Sequence, residues 1–159
     1  MRAASVACLF AAGSLAAPCS VEQVFINYAE SPSQMRVSWA TACAASAAVS
    51  YGPSPTSLTS HTTGPAPARY TAPFYTSPYI YHVTLSGLTP GALVYYQLGD
   101  ATSGLSPVYN FSAHPGVGPT IAHTFAVVGD PGQTANSAST FQHVLSGTSD
   151  SVMIVGDLR

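Results

Sequence analysis

Residues 21–40 read VEQVFINYAESPSQMRVSWA. Val24, Ile26 and Tyr28 alternate with other side chains in the first half, and Met35, Val37 and Trp39 do so in the second. Alternation of this kind puts successive side chains on opposite faces of a strand. Glu30-Ser-Pro-Ser33 between the two halves supplies turn residues. The stretch predicts two antiparallel strands, Val21–Ala29 and Gln34–Ala40, joined as a hairpin. Trp39 reads as a core anchor. Short β-like runs follow at Ala47–Tyr51, Tyr79–Leu85, Leu93–Leu98 and Val108–Ala113. They are separated by Gly52-Pro-Ser-Pro55, Gly64-Pro-Ala-Pro67, Gly87-Leu-Thr-Pro-Gly91 and Gly99-Asp100. Strands at this spacing predict a mainly β protein, a two-sheet sandwich of about 90–100 residues spanning 18–113.

Outward from the sandwich, residues 1–17 read MRAASVACLFAAGSLAA. One arginine, an apolar run too short to cross a bilayer comfortably and closing small residues fit a secretory signal peptide cut near Ala16 or Ala17. The alternative is a short buried helix or an uncleaved anchor. Cleavage leaves two cysteines, Cys19 and Cys43, in a secreted chain. Their midpoint falls at residue 31, inside the predicted turn, so they flank the open end of one hairpin. A Cys19–Cys43 disulfide is expected, against the alternative of two free thiols. Asn110-Phe111-Ser112 is the one glycosylation sequon, with Asn110 its acceptor if it points outward.

Only 6% of the 159 residues are charged, and the basic ones are four arginines with no lysine. A phosphate-backbone binder needs a basic stripe, so nucleic-acid binding is excluded. No segment after the signal reaches membrane-spanning length, and no membrane association is expected after its cleavage.

Residues 114–122, HPGVGPTIA, form a linker. The pattern then changes. His123–Val128 is a continuous β run ending in Gly129-Asp130-Pro131-Gly132. The stretch from Gln133 to Leu145 reads as a helix with Phe141, Val144 and Leu145 on one face, Thr134 or Asn136 as its cap and Gly147 as its end. Val152–Val155 is a second apolar run, ending in Gly156-Asp157. Strand, helix and strand within about 35 residues predict a βαβ unit, residues 123–159. Both strand ends then lie on one edge of a parallel sheet, where ligands bind. The glycine before each aspartate is expected to let the backbone turn out of the strand. Two carboxylates held close are costly unless a cation sits between them, and a two-metal site meets that need. Ordinary strand-end turn chemistry is the alternative for each Gly-Asp pair.

These residues resemble the N-terminal part of a purple acid phosphatase of the plant-like, two-domain type. Phe125-Ala-Val-Val-Gly-Asp130-Pro-Gly-Gln-Thr134 is similar to that family's GDxG metal motif, with Pro131 in place of its usual apolar residue. Val155-Gly-Asp157-Leu158 is similar to the start of its GDxxY motif. Glu22–Ile26, Met35–Trp39, Val49–Gly52, Tyr79–His82, Leu88-Thr-Pro90 and Tyr95-Tyr96 fit its preceding domain. The resemblance implies a fibronectin-III-like sandwich followed by an incomplete calcineurin-like metallophosphoesterase segment. Six residues after Leu88, where that sandwich favours tyrosine, stands Val94, with Tyr95 and Tyr96 as the substitutes at hand.

The resemblance further implies a secreted acid phosphatase that hydrolyses small phosphate monoesters at a dinuclear centre of iron plus a second divalent metal: zinc, manganese or iron. Asp130 would ligate the ferric ion and Asp157 would bridge both metals. A homodimer is left open. The tyrosine of GDxxY would fall immediately after Arg159, and the GNH motif and downstream histidine ligands are absent. None of His61, His82, His114, His123 and His143 sits in a ligand motif. No catalytic residue is expected within the chain, Asp130 and Asp157 being metal ligands, and the chain reads as an N-terminal fragment inactive alone. The competing expectation is a secreted sandwich acting as a binding module without catalysis.

Overall fold

A computed structural model describes residues 19–156. The signal segment 1–17 and Asp157 lie outside the described residues. The element order is β1 (Val21–Tyr28), β2 (Met35–Thr41), β3 (Ala48–Gly52), β4 (Ser60–Thr63), β5 (Thr71–Ala72), β6 (Tyr75–Thr76), β7 (Tyr79–Leu85), β8 (Leu93–Asp100), β9 (Gly104–Leu105), β10 (Tyr109–Ser112), β11 (Phe125–Gly129), α1 (Ala135–Ser146) and β12 (Ser151–Val155). The fold is mainly β. One sheet runs β1-β2-β7 and the other β10-β8-β3-β4, with β9 on β8. These are the sheets of the sandwich.

Its core follows from alternation on the inward faces. Val37, Trp39, Tyr81, Val83 and Leu85 come from the first sheet, and Val49, Val94, Tyr96 and Leu98 from the second, all buried. Trp39 lies flat on Tyr81, the ring centroids 4.9 Å apart and the planes 3° from parallel. Burying a Tyr hydroxyl is costly unless it is bonded. The Tyr81 hydroxyl accepts from Ala45 N (2.8 Å) and donates to Ala45 O (3.2 Å), tying the loop after β2 to the core. Of the two tyrosines beside Val94, Tyr96 is the buried one. Burial, then the neighbouring Tyr109, pushes its phenol up to about 12.

The alternation of β1 slips once. Gln23 has φ 52°, and the inward positions run Val21, Val24, Ile26. An extra residue with positive φ in a strand is a bulge.

Two compact units emerge from the contacts. One comprises residues 19–27, 36–84 and 94–110 and holds most of the core just described. The other comprises residues 28–35, 85–93 and 111–156. Within it, Leu88 N donates to Ser33 O (3.0 Å), Ala113 N to Ala92 O (2.8 Å) and Gly91 N to His114 O (3.0 Å).

The linker leads into strand, helix and parallel strand. β11 and β12 pair in register, Phe125 with Ser151 through to Gly129 with Val155. Thr134 caps α1, its hydroxyl accepting from Ser137 N (3.3 Å) while Ser137 Oγ accepts from Thr134 N (3.0 Å). Gly147 follows the last turn. On the expected apolar face of α1, Phe141 and Val144 are half-buried. Leu145 corrects the sequence reading, since it is 74% exposed.

Candidate metal centre

The parallel register places Asp130 and Gly156 side by side, each one residue past its strand. Asp130 N donates to Val155 O at 2.6 Å, extending the ladder by one bond. Asp130 itself takes φ 40°, a left-handed conformation that aspartate tolerates better than most residues. Gly129 has no positive φ, and a Cβ there would meet nothing within 4 Å. The sequence reading assigned the first turn to Gly129, and the structure moves it to Asp130. At the second strand end the glycine does make the turn: Gly156 has φ 102°. A Cβ on Gly156 would lie 3.3 Å from Asp130 Cα, Cβ and N. Gly156 therefore also lets the two strand ends close on each other. Sequence reasoning missed this second role, because it depends on the register of two strands.

The loop after Asp130 is held from α1. Ser137 is buried, and its hydroxyl donates to the Pro131 carbonyl. The spacing Thr134-x-x-Ser137 was the available signal for this clamp. Asp130 is exposed at the edge. Its carboxylate is a hard oxygen donor of the kind iron, zinc and manganese take. Among the described residues no group of three or more His, Cys, Asp or Glu could hold a metal ion. The donor is right in kind and short in number.

Four of the five histidines have other partners. His82 Nδ1 lies 2.7 Å from Ser38 Oγ, and His61 Nδ1 2.9 Å from Ser50 Oγ. His114 Nδ1 accepts from Gly116 N at 2.9 Å. His123 Nε2 lies 3.2 Å from the Tyr28 hydroxyl and 2.9 Å from Ser151 Oγ, which donates to the same phenol at 2.8 Å. This triangle sits at the starts of β11 and β12, about 13 Å of strand away from the Gly-Asp ends. Beside it is a cavity of about 290 Å³ lined by Tyr28, His114, Val117, Ile121, His123 and Phe125, among others.

Cys19 and Cys43 are joined as a disulfide with Cα atoms 5.8 Å apart. Asn110 is exposed on β10.

A family profile described as "Purple acid Phosphatase, N-terminal domain" matches residues 21–113. The chain belongs to the purple acid phosphatase family. A phosphoenolpyruvate phosphatase of Allium cepa is 36% identical over 110 residues, covering 69% of this chain and 22% of that protein. A probable purple acid phosphatase 20 of Arabidopsis thaliana is 30% identical over 141 residues, covering 89% and 32%. The Fe(3+)-Zn(2+) purple acid phosphatase 12 of Arabidopsis thaliana is 37% identical over 86 residues, covering 53% and 18%. Among solved structures, a purple acid phosphatase from yellow lupin (Lupinus luteus) seeds shares the fold at a TM-score of 0.57 and 21% identity, over 74% of this chain and 24% of that one. The chain thus spans less than a third of the length of each of these three relatives.

Proposed function

We propose that this chain is the sandwich domain and the first metal-ligand strands of a secreted acid phosphatase that hydrolyses phosphate monoesters. The observation that supports it is the in-register pairing of β11 with β12, which puts Asp130 beside Gly156, the residue before Asp157. In this reading Asp130 would hold ferric iron, and Asp157 would be shared between it and zinc, manganese or a second iron. Such metals, when bound, supply a hydroxide nucleophile and offset charge on the phosphoryl oxygens. Two carboxylates do not hold two ions against water, so residues 1–159 alone do not turn over substrate. Residues 1–17 direct secretion, and Asn110 carries a glycan on that route.

The test is aryl-phosphate hydrolysis at about pH 5 with iron and zinc or manganese supplied. The 159-residue chain is expected to be inactive. A longer product carrying the GNH and downstream histidine motifs is expected to be active and to lose turnover on Asp130→Ala or Asp157→Ala. Metal-dependent turnover by the short chain overturns the ligand count. Activity that survives both substitutions overturns the site.

One observation favours a second reading, a secreted sandwich acting as a binding module: the exposed aromatic hairpin considered next.

A further inference from the structure

β5 and β6 form a small hairpin, Thr71 paired with Thr76 and Ala72 with Tyr75. Its two-residue tip is Pro73-Phe74. Phe74 has φ 67° and is fully exposed, at 108%. Proline followed by a positive φ is the type II turn pattern, whose second position belongs to glycine or asparagine. Phenylalanine there bears two costs at once, a left-handed backbone and an apolar ring in water. Among the described residues nothing covers the ring. Behind the tip, Tyr70 and Tyr75 are 57% and 51% exposed, with ring centroids 5.8 Å apart.

The stem beneath is stiff. Tyr70 N donates to Ser77 Oγ (3.0 Å) and Ser77 N to Tyr70 O (2.9 Å), and Ser77 is buried. Arg69 Nε donates to Ser77 O (2.9 Å), and its guanidinium carbon lies 4.5 Å from the centre of the Tyr79 ring. Ala68 and Ile80 exchange both backbone bonds below that. The three aromatic side chains are presented by a braced hairpin, so little ordering remains to be done on binding.

Charge narrows the partner. No carboxylate occurs between Glu30 and Asp100, and the only charged side chains in that span are Arg36 and Arg69. The hairpin is graded from an apolar tip through two phenols to a guanidinium at its base. An apolar tip backed by two phenols is the order that a phospholipid interface asks for: acyl boundary, then headgroup level. A sugar-stacking platform needs coplanar ring faces, whereas Tyr70 and Tyr75 are tilted by 46° and Phe74 stands at the end of the hairpin. We propose that the 70–76 hairpin docks this protein peripherally on a phospholipid bilayer, Phe74 reaching the acyl boundary and Tyr70 and Tyr75 lying among the headgroups. No spanning segment is needed: among the described residues no helix is long and apolar enough to cross a membrane. The proposal goes beyond the phosphatase reading, is independent of the metal assignment, and replaces the expectation of no membrane association with peripheral docking.

The experiment is flotation of the secreted chain with phosphatidylcholine vesicles containing a minor share of phosphatidylserine. Phe74→Gly removes the ring and relieves the positive φ, so the variant keeps its fold, checked by circular dichroism. The wild type is expected to float, and Phe74→Gly to lose association at least about tenfold, the worth of burying one phenylalanine. Phe74→Trp is expected to keep it, with tryptophan emission shifting to the blue on vesicle addition. Wild-type protein left at the bottom of the gradient overturns the proposal, as does equal flotation of Phe74→Gly. Concentration-dependent dimerisation abolished by Phe74→Gly, without flotation, assigns the hairpin to a second copy and also overturns it.

Discussion

Asp100 shows how a surface carboxylate enters the stability of this sandwich. Its Oδ1 accepts from Ser103 N (2.8 Å), Ser103 Oγ (2.9 Å) and Thr102 N (2.9 Å). Bonds from Ser103 backbone and side chain, then from Ser46, hold the carboxyl at about 2, below the ordinary 3.8. A carboxyl with a depressed folded-state pKa stabilises the fold above its unfolded pKa. That contribution is lost as pH falls through the folded value. The window here runs from about pH 4 down to about pH 2. Urea midpoints across it should fall more steeply for the wild type than for Asp100→Asn, and added salt should narrow the gap. Parallel pH profiles would remove the carboxylate from the account.

At the scale of elements, the disulfide closes the open end of the β1–β2 hairpin across a sequence separation of 24. Loop entropy for a ring of that size is worth about 3.5 kcal/mol, acting through the unfolded chain. Replacing both cysteines by serine should lower the urea midpoint by roughly 2 M at a slope of about 1.5 kcal/mol/M. An unchanged midpoint would mean that the unfolded state is already constrained there. The hairpin itself was legible in the sequence, because Met35, Val37 and Trp39 alternate against polar neighbours. β7 matches its expected bounds residue for residue, Tyr79–Leu85. β4 was not legible: Ser60-His-Thr-Thr63 has no apolar face and becomes a strand only by pairing with Ala48–Tyr51. β5 and β6 escape for a different reason, since two residues each are too few to show a period. Of the candidate centre, Asp130 was legible from its Gly-Asp context, whereas the close approach of Gly156 depends on strand register. Leu145 obeys the helical spacing and stays in solvent, because periodicity names a face without supplying what covers it.

For the whole molecule, the two faces of the β11–β12 pair differ. Phe125, Val127, Met153 and Val155 share one face and are between 50% and 64% exposed. The other face carries Val128, buried, with Val152 and Ile154 less exposed than the first set. Parallel sheets are ordinarily covered on both sides. An open apolar face of this kind should bind anilinonaphthalene sulfonate at neutral pH without denaturant, and Val127→Thr with Met153→Thr should reduce that fluorescence. Equal dye binding by the double variant would place the sticky surface elsewhere. The stacked pair Trp39–Tyr81 bears on how such variants are followed. It contains the single tryptophan, and all nine tyrosines lie between residues 28 and 109. The tryptophan emission of this protein is therefore a reporter of the β-sandwich, whereas the tyrosine signal includes Tyr28, whose hydroxyl is bonded to Ser151 at the start of β12. A melt watched by tryptophan emission records the sandwich alone. Only a coincident calorimetric transition would tell an observer that the strands carrying the Gly-Asp ends come apart with it.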